Sequence, residues 1–397
     1  MQPLQGITVV TLEHAIAAPF ATRQLADIGA RVIKIERPGV GDFARGYDAR
    51  ARGLASHFVW TNRSKESLTL DVKHPEAQRL LKQLIVEKAD VVVQNLAPGA
   101  AGRLGLSYLA LSALKPGIIV CDISGYGDDP QDSGPYRDKK AYDLLIQSEA
   151  GFVSTTGTAD EPSKAGASIA DIAAGMYAYT NILAALMHRQ QTGQGQRIDI
   201  SMLEALGEWM SYPLYYAMDG APPPPRTGAS HATIYPYGPF AAGDGGSVML
   251  GLQNEREWAV FCEKVLQQPG LAADDRYNTN AKRSAARETL RKLIVDSFAS
   301  LTTAQVAERL DDAQIANARV NTMHEVWQHP QLAARQRWAQ VDTPAGPMPA
   351  LLPPGSWQAS PPRMDAVPAL GQHTDAILAE LGQSPEGIAA LHAQQVV

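Results

Sequence analysis

The 397-residue chain is long enough for two or three domains, and with 45% hydrophobic and 19% charged residues it can bury a large core. Its formal net charge of −6 argues against general binding to nucleic acids or anionic membranes. The two cysteines, Cys121 and Cys262, lie far apart, and the start lacks the basic segment of a signal peptide. We therefore expect neither a disulfide framework nor secretion, and place the protein in the cytoplasm.

The first half of the chain alternates strand-like runs with helix-like segments. The strand-like runs, in chain order, are ITVVTL, RVIKIE, SLTLDV, DVVVQN, GIIVCDIS and QRIDIS. A long buried helix is predicted from about Ile172 to Gln190, before the last of these runs. This alternation predicts an α/β fold with a Rossmann-like, doubly wound parallel sheet. Because such sheets bind ligands beyond the carboxyl ends of their strands, polar residues at those ends become candidate site residues: His14, Arg37, Asn95 and Ser124.

Two proline-rich stretches divide the second half. The first, APPPPR from Ala221 to Arg226, predicts a stiff connector at a domain boundary. The segment YPYGPFAAGDGGSVMLGL then predicts a hairpin with glycine-rich turns, and helices follow from Glu255 to about Leu310. The second stretch, PAGPMPALLPPGSWQASPPR, is expected to return the chain across the surface. We expect a large domain at residues 1–220, a smaller α+β domain at residues 221–330, and a segment at residues 331–397 that returns to the large domain.

The signature motifs of several cofactor and metal enzymes do not occur. The turn after the first strand, EHAIAAPF, has no GxGxxG pattern, and the chain contains neither GxxxxGK[ST] nor HExxH. The nine histidines show no metal-ligand spacing. We therefore expect no metal and no permanently bound cofactor.

One carboxylate stands in an otherwise small and apolar segment, AGASIADIAAGMYAY. Asp171 comes just before the predicted helix, where an aspartate commonly caps the helix by accepting a backbone N–H. The helix dipole would also lower the pKa of Asp171, keep it ionised at neutral pH, and allow it to act as a nucleophile. Its small neighbours leave room for a bulky electrophile. The residues alone leave both interpretations open.

Ordered blocks along nearly the whole chain resemble the class III CoA-transferases, which include formyl-CoA and carnitine CoA-transferases. The blocks include LADIGARVIKIERPGVGD, NRSKESLTLDVKHPEA, ADVVVQNLAPGAAGRLGL and LGQHTDAILAELG. The resemblance implies that Asp171 attacks an acyl-CoA thioester, forming a mixed anhydride and then an aspartyl-CoA thioester. It implies that CoA and acyl-CoA are substrates rather than bound cofactors. It also implies an interlocked homodimer.

The resemblance further implies which positions contact CoA. They follow the predicted strands or precede Asp171: Ile16, Ala17, Arg37, Leu70, Lys73, Asn95, Leu96, Arg103, Lys140, Tyr142 and Asp143. Arg37, Arg103 and Lys140 match basic positions along the nucleotide end, where charge-assisted hydrogen bonds suit the phosphates of CoA. Tyr142 and Asp143 match positions near the active site.

The acceptor is expected to be a small dicarboxylic acid. The segment GDFARGYDARARG places Arg45, Arg50 and Arg52 after the second strand, where a guanidinium could bind a distal carboxylate. The segments GLASHFVWTNRSKES and IANARVN are similar to a subgroup acting on mesaconate, itaconate, malate or succinate-type acids, and citramalate is a further candidate. The isoleucine at Ile16, the altered IANARVN segment and the partial glycine loop AAGDGGSVML argue against formyl or oxalate specificity.

Two other functions remain open on the sequence. An α-methylacyl-CoA racemase needs a histidine before the aspartate of the YDLL segment, where this chain has Tyr142. Tyrosine has a reference pKa near 10 and is therefore a poor base at neutral pH. The protein could also bind acyl-CoA without catalysis, as a scaffold or sensor. Exchange of label between a free acid and an acyl-CoA distinguishes a transferase from both.

Overall fold

The computed structural model describes residues 1–132, 134–355 and 357–397. Contacts divide the chain into two compact units. The first comprises Met1–Gly151, Ala165–Met210 and Gln331–Val397, and the second comprises Phe152–Lys164 and Ser211–Pro330. The second unit therefore includes a short early segment, Phe152–Lys164, and its main segment begins at Ser211. The sequence analysis expected a single boundary, after residue 220.

The strands are short, and six of them precede residue 202. In chain order they are β1 (Thr8–Leu12), β2 (Arg31–Glu36), β3 (Lys65–Thr69), β4 (Val91–Gln94), β5 (Ile119–Ser124), β6 (Arg197–Ser201), β7 (Tyr237–Ala241), β8 (Ser247–Gly251), β9 (Ala316–Arg319), β10 (Trp338–Val341) and β11 (Met348–Leu351). Predicted SLTLDV therefore forms a strand that begins and ends earlier than expected, at Lys65 and Thr69.

Helices connect and flank these strands. In chain order they are α1 (Ala17–Asp27), α2 (Ser56–Asn62), α3 (Pro75–Lys88), α4 (Ala100–Arg103), α5 (Tyr108–Ser112), α6 (Asp143–Glu149), α7 (Phe152–Thr155), α8 (Ile169–Thr192), α9 (Met202–Trp209), α10 (Ser211–Tyr216), α11 (Glu255–Val260), α12 (Asn280–Ala285), α13 (Arg287–Phe298), α14 (Thr303–Asp312), α15 (Met323–Trp327), α16 (Pro330–Ala334), α17 (Thr374–Glu380) and α18 (Pro385–Ala393). Short 3₁₀ turns occur at Phe43–Gly46, Met218–Gly220 and Pro269–Ala272, and a π-helical turn occurs at Phe261–Val265.

The first unit is built on a parallel sheet of six strands in the order β3-β2-β1-β4-β5-β6. The register is set by apolar β-branched residues, with Val9 beside both Val32 and Val91. These positions are fully buried, as expected for a parallel sheet covered on both faces. The chain builds outward from β1 in both directions, which puts the topological switch point between β1 and β4. The predicted doubly wound α/β sheet is confirmed.

Helix α8 is the central helix of the first unit and begins at Ile169, three residues earlier than predicted. Of the described residues, only this helix is long and apolar enough to cross a membrane by length and composition, and 44% of its most apolar stretch is buried inside the protein. It packs against α1 at Gly175, where an added Cβ would lie 2.7 Å from the carbonyl oxygen of Ala17. This glycine is therefore what allows α1 and α8 to approach so closely.

The second unit contains a three-stranded antiparallel sheet in the order β7-β8-β9. The predicted hairpin is confirmed, since Tyr237 pairs with Gly251 and Ala241 pairs with Ser247. Its face packs on a core of aromatic and aliphatic side chains that includes Trp258, Phe261 and Phe298. The unit is thus α+β in character, as expected for the smaller domain.

The proline-rich stretch after residue 344 holds a hairpin that the sequence analysis missed. Strand β11 pairs antiparallel with β10, with Trp338 opposite Leu351 and Val341 opposite Met348. Pro349 falls at an edge of this two-stranded ribbon, where a missing N–H is tolerated. The sequence analysis expected a connecting segment along the surface with no strands, because the prolines interrupt the alternation of apolar residues that indicates a strand.

Candidate active site

The carboxyl ends of the six parallel strands collect most of the predicted site residues at one edge of the sheet. Ile16 and Ala17 follow β1, Arg37 follows β2, and Leu70 follows β3. Asn95 and Leu96 follow β4 in the same way. Because α8 leads into the start of β6, its first turn also lies toward this edge. The topology therefore directs Asp171 and the predicted CoA contacts to one side of the first unit.

Asp171 is the third residue of α8 rather than its N-cap. The N-cap is Ser168, whose side chain makes no capping hydrogen bond. The expectation that Asp171 caps the helix is therefore wrong, because the helix starts earlier than the apolar pattern indicated. The side chain of Asp171 is half-buried.

Asp143, the first residue of α6, caps α8 from outside. Its Oδ1 accepts hydrogen bonds from the backbone N–H of Ala170 at 2.9 Å and of Asp171 at 3.4 Å. Its Oδ2 accepts a 2.7 Å hydrogen bond from Nε2 of the fully buried Gln147, whose Oε1 accepts from the N–H of Ala165. Asp143 thus supplies the cap that Ser168 does not, and it places a second carboxylate beside Asp171.

This environment raises the pKa of Asp171 to about 7, mainly through burial and then through the charge of Asp143. A hydrogen bond from the backbone N–H of Ala17 opposes the rise. The expected lowering of the pKa by the helix dipole is therefore wrong, because burial and a neighbouring like charge outweigh it. A carboxylate with such a pKa is more basic than usual once ionised, which suits a nucleophile.

A row of rings lines the loop after β2 and leads toward Asp171. His14 stacks on Phe43 at 5.2 Å, Phe43 lies 5.7 Å from Tyr47, and Tyr47 meets the edge of His57 at 5.6 Å. The pKa of Tyr47 rises to about 12 through burial and the nearby Asp42, Asp171 and Tyr142. Tyr47 therefore lies near both Asp171 and Tyr142. The sequence analysis missed Tyr47, although an aromatic residue in a glycine-rich loop after a strand was an available signal.

The predicted cationic contacts are available to a ligand. Arg37, Lys73, Arg103 and Lys140 are exposed. Their side chains have no hydrogen-bond or ion-pair partner within residues 1–132, 134–355 and 357–397. They all follow the carboxyl ends of strands, in the loops after β2 and β3 and in the connections after β4 and β5. Free cations at this edge suit the phosphate groups of an anionic ligand.

The remaining predicted contacts are already part of the protein's own packing. Leu70 is 2% exposed and belongs to the core, and its N–H donates to the carbonyl of Glu36 at 2.9 Å. Ile16 and Ala17 are also buried. The side-chain amide of Asn95 bonds both the N–H and the carbonyl of His14, each at 2.9 Å, while Leu96 N–H donates to Gln94. These residues shape the switch point through their packing and hydrogen bonds.

The three arginines expected to bind the acceptor acid differ in their availability. Arg45 forms a two-point ion pair with Glu36, with both N–O distances at 2.8 Å, and its guanidinium lies 3.8 Å from the ring centre of Phe58. Arg52 donates to the carbonyl of Pro347 at 2.8 Å. The exposed guanidinium of Arg50 has no partner among the described residues. The structure therefore removes Arg45 from the free cations and leaves Arg50 as the best candidate.

Comparison with known proteins finds similarity along nearly the whole chain. The family described as CoA-transferase family III matches residues 4–374. A succinate–glutarate CoA-transferase from Agrobacterium fabrum is 34% identical over 390 residues, covering 96% of this chain and 96% of that protein. A succinyl-CoA–D-citramalate CoA-transferase from Chloroflexus aurantiacus is 32% identical over 408 residues, covering 100% and 98%. The crystal structure of a CAIB/BAIF family protein from Brucella suis matches with a TM-score of 0.83 and 33% identity, covering 96% of this chain and 99% of that chain.

Proposed function

The chain belongs to CoA-transferase family III, and we propose that it moves CoA from an acyl-CoA such as succinyl-CoA to a free dicarboxylic acid through a covalent intermediate on Asp171. The observation that carries this proposal is the environment of Asp171. The carboxylate is half-buried at the start of α8, and burial raises its pKa to about 7, a rise that the backbone N–H of Ala17 opposes. A carboxylate so placed can be both reactive and reachable.

In the proposed reaction the ionised carboxylate of Asp171 attacks the thioester carbonyl carbon, the C–S bond breaks, and CoA leaves as a thiolate. The product is a mixed anhydride of Asp171 and the donor acyl group. The thiolate then attacks the Asp171 carbonyl carbon, releasing the donor carboxylate and leaving an aspartyl-CoA thioester. The acceptor carboxylate attacks this thioester, and the same two steps in reverse form the new acyl-CoA. One thioester forms for each one broken, so no ATP is consumed.

The proposed CoA site uses the free cations at the carboxyl edge of the sheet. Arg37, Arg103 and Lys140 are exposed and unpaired within the described part of the chain, and CoA carries several negative charges on its nucleotide end. Each cation can form charge-assisted hydrogen bonds with phosphate oxygens. We assign to the backbone of Ile16, Ala17, Asn95 and Leu96 the contacts nearer the thioester, because these residues lie beside the first turn of α1.

The proposed acceptor is a dicarboxylic acid, with Arg50 binding the carboxylate that does not react. The names of the similar proteins from Agrobacterium fabrum and Chloroflexus aurantiacus give glutarate and D-citramalate as acids. Both are five-carbon dicarboxylates, and mesaconate, itaconate and malate are of similar size. An unpaired guanidinium in the loop after β2 supports this substrate class, since its planar fork matches a carboxylate.

We also propose that two copies of the chain assemble as a homodimer. Large apolar side chains remain exposed on several helices, more than scattered surface residues explain. In the first unit these are Leu144, Leu145, Met187 and Trp209, and in the second unit they are Tyr212, Leu214, Tyr215 and Met218. A second copy of the chain would cover them, and light scattering on the purified protein checks the resulting mass.

The cytoplasm is the proposed location. Cys121 and Cys262 are both free and buried, with no disulfide between them. Buried free thiols are typical of proteins in a reducing compartment. Fractionation of cells that express the protein tests this placement.

The first experiment is to trap the covalent intermediate. Wild-type protein incubated with succinyl-CoA and no acceptor, then treated with hydroxylamine and digested, should show the mass change on the peptide containing Asp171. Asp171→Ala should abolish the label and lower turnover by roughly a thousandfold, at least about 4 kcal/mol of barrier. Glu204→Ala is the matched control, because Glu204 is an exposed carboxylate in the first turn of α9.

The proposal fails if the label appears on Asp143 or elsewhere, or if Asp171→Ala still transfers CoA at near the wild-type rate. Exchange of labelled free acid into acyl-CoA tests the activity itself. A racemase or a non-catalytic binding protein would give no such exchange.

A further inference from the structure

The turn between β1 and α1 contains a strained residue. Ala15 has φ +61°, the left-handed region that residues with a Cβ rarely adopt. Such a conformation costs free energy and persists only where the surroundings hold it. Ala15 lies two residues before Ala17, whose carbonyl oxygen lies against α8 at Gly175, one turn after Asp171. The backbone N–H of Ala17 is also close enough to the Asp171 carboxylate to oppose the rise in its pKa. The geometry of this turn therefore decides where that N–H points.

A buried carboxylate holds the turn. Oδ1 of Asp42 accepts hydrogen bonds from the N–H of Ala15 at 3.2 Å and from the N–H of Ala44 at 2.9 Å. Asp42 is fully buried, and its own N–H donates to Glu36 at 3.0 Å. One oxygen of Asp42 thus fixes both the strained turn and the start of the loop that carries Tyr47.

The other oxygen of Asp42 is held by a buried lysine. Nζ of Lys34 lies 2.7 Å from Oδ2 of Asp42 and 3.3 Å from Oε1 of Glu13. Lys34 and both carboxylates have fully buried side chains. Glu13 in turn bonds Lys65 and Thr22 at 2.6 Å each. Burying a cluster of charged groups costs free energy of desolvation. This cluster contacts the turn between β1 and α1 through the hydrogen bond from Ala15 N–H to Asp42.

We propose that Asp42 and Lys34 are positioning residues, which hold Ala15 in its left-handed conformation and thereby aim the N–H of Ala17 at Asp171. The proposal rests on the proposed role of Asp171 as nucleophile. Neither residue contacts the reacting atoms. They act through the backbone of the turn, and their loss should therefore slow the chemical step more than it weakens binding of acyl-CoA.

Asp42→Asn is the central test. An amide has one oxygen, so it can accept from Lys34 or from the two backbone N–H groups, but not from both. We expect kcat to fall at least tenfold with a smaller change in KM for acyl-CoA. Weaker donation by Ala17 should also move the acidic limb of the pH–rate profile to higher pH. The other ionisable groups near Asp171, namely Asp143 and Tyr47, keep their identities in this variant, as does Tyr142 beside Tyr47.

Ala15→Gly supplies a readout that a merely structural role would not move. Glycine adopts positive φ at no steric cost, so the turn no longer needs to be held. In the Asp42→Asn background, Ala15→Gly should restore kcat at least fivefold. Failure to restore it overturns the proposal, as does a folded Asp42→Asn protein with wild-type kcat.

The matched control is Asp27→Asn, at the C-terminal end of α1, the helix that begins at Ala17. Asp27 is 1% exposed and bonds Arg23 at 2.6 Å and Arg63 at 2.8 Å, so its replacement damages a comparable buried ion cluster. We expect lower stability with kcat retained, and no rescue by Ala15→Gly. An equal loss of kcat in Asp27→Asn would contradict the proposal.

If Asp42→Asn does not fold, Ala15→Val decides, because it leaves every buried charge in place while disfavouring the left-handed turn. A kcat within twofold of wild type would then overturn the proposal, and a tenfold loss would support it. Trapping of the covalent intermediate distinguishes failure of the positioning role from failure of the proposed function. No label on Asp171 in wild type refutes the function, whereas normal labelling in both wild type and Asp42→Asn refutes only the positioning role.

Discussion

The carboxylate of Asp171 is subject to opposing influences that together set its charge near neutral pH. Burial and the carboxylate of Asp143 raise its pKa to about 7, and the N–H of Ala17 limits the rise. Tyr47 also lies near this group. Because only the ionised form can attack a thioester, the reactivity of Asp171 and its pKa are linked.

This linkage predicts the pH dependence of the reaction. The value of kcat/KM for acyl-CoA should rise with pH through a midpoint near 7, as Asp171 loses its proton. Asp143→Asn removes the neighbouring negative charge, so the midpoint should move to lower pH by about one unit. Initial rates between pH 5 and 9 measure both, with Glu204→Gln as control. A midpoint near 4 in the wild type, or an upward shift in Asp143→Asn, would contradict this account.

The same pKa predicts a cost in stability. The unfolded chain has an aspartate pKa of 3.8, whereas the folded value is about 7, so the folded state keeps a proton that the unfolded state has lost. The contribution of Asp171 to the free energy of unfolding is therefore greatest below pH 4, and it is lost as the pH rises through about 7. Asp171→Asn should therefore raise the free energy of unfolding at pH 8 by about 1–3 kcal/mol. Urea unfolding at pH 8 and pH 4 measures the difference, which should shrink toward zero at the lower pH.

At the scale of elements, the site depends on how closely α1 approaches α8. A Cβ at Gly175 would meet the carbonyl oxygen of Ala17 at 2.7 Å and the side chain of Phe20 at 3.0 Å. Since the backbone N–H of Ala17 acts on the pKa of Asp171, any widening of this contact changes the site. The two helices form the most extensive helix–helix contact of the first unit.

Gly175→Ala should therefore destabilise the protein and lower kcat together. Backbone atoms cannot yield as a flexible side chain can, so we expect a loss of about 1–3 kcal/mol in the free energy of unfolding. Gly207→Ala in α9 is the matched control, because an added Cβ there meets nothing within 4 Å. That variant should gain about 0.5–1 kcal/mol, as alanine replaces glycine inside a helix. Thermal melts of the two proteins give the comparison, and equal effects would refute the packing argument.

Most elements of the first unit could be predicted from the sequence, because apolar β-branched runs and amphipathic helices are local patterns. The start of α8 could not, because its cap comes from Asp143, 27 residues before Ala170. The pKa of Asp171 could not either, since burial and a like charge act only after folding. The pairing of Arg45 with Glu36 likewise depends on the turn of the chain after β2. The hairpin of β10 and β11 was hidden by prolines.

At the scale of the whole molecule, the distribution of charge is more informative than its sum. The net charge is −6, yet the connections after β2, β3, β4 and β5 carry cations with no partner in the described part of the chain. These are Arg37, Arg50, Lys73, Arg103 and Lys140. A cationic edge on an acidic protein concentrates anionic substrates where the strands end. Both proposed substrates, an acyl-CoA and a dicarboxylate, are anions.

Among these cations, Arg50 is the one whose loss should weaken binding of the acceptor acid more than binding of acyl-CoA. It lies in the loop after β2, and Arg45 from the same loop is occupied by Glu36. Arg50→Ala should raise KM for glutarate or citramalate about tenfold or more, since a charge-assisted hydrogen bond is worth about 1.5–3 kcal/mol. KM for succinyl-CoA in the half-reaction that labels Asp171 should change less, because CoA supplies most of the binding energy.

Arg335→Ala, which removes an exposed arginine of the first unit outside this loop, is the control and should leave both constants unchanged. A panel of acids completes the test. If the wild type prefers a monocarboxylic acid such as formate or carnitine, the dicarboxylate assignment is wrong. If the wild type prefers dicarboxylates and Arg50→Ala keeps that preference, the substrate class stands but the role of Arg50 is wrong. Arg52 is then the next arginine to replace, and its guanidinium would have to leave the carbonyl of Pro347 to reach the acid.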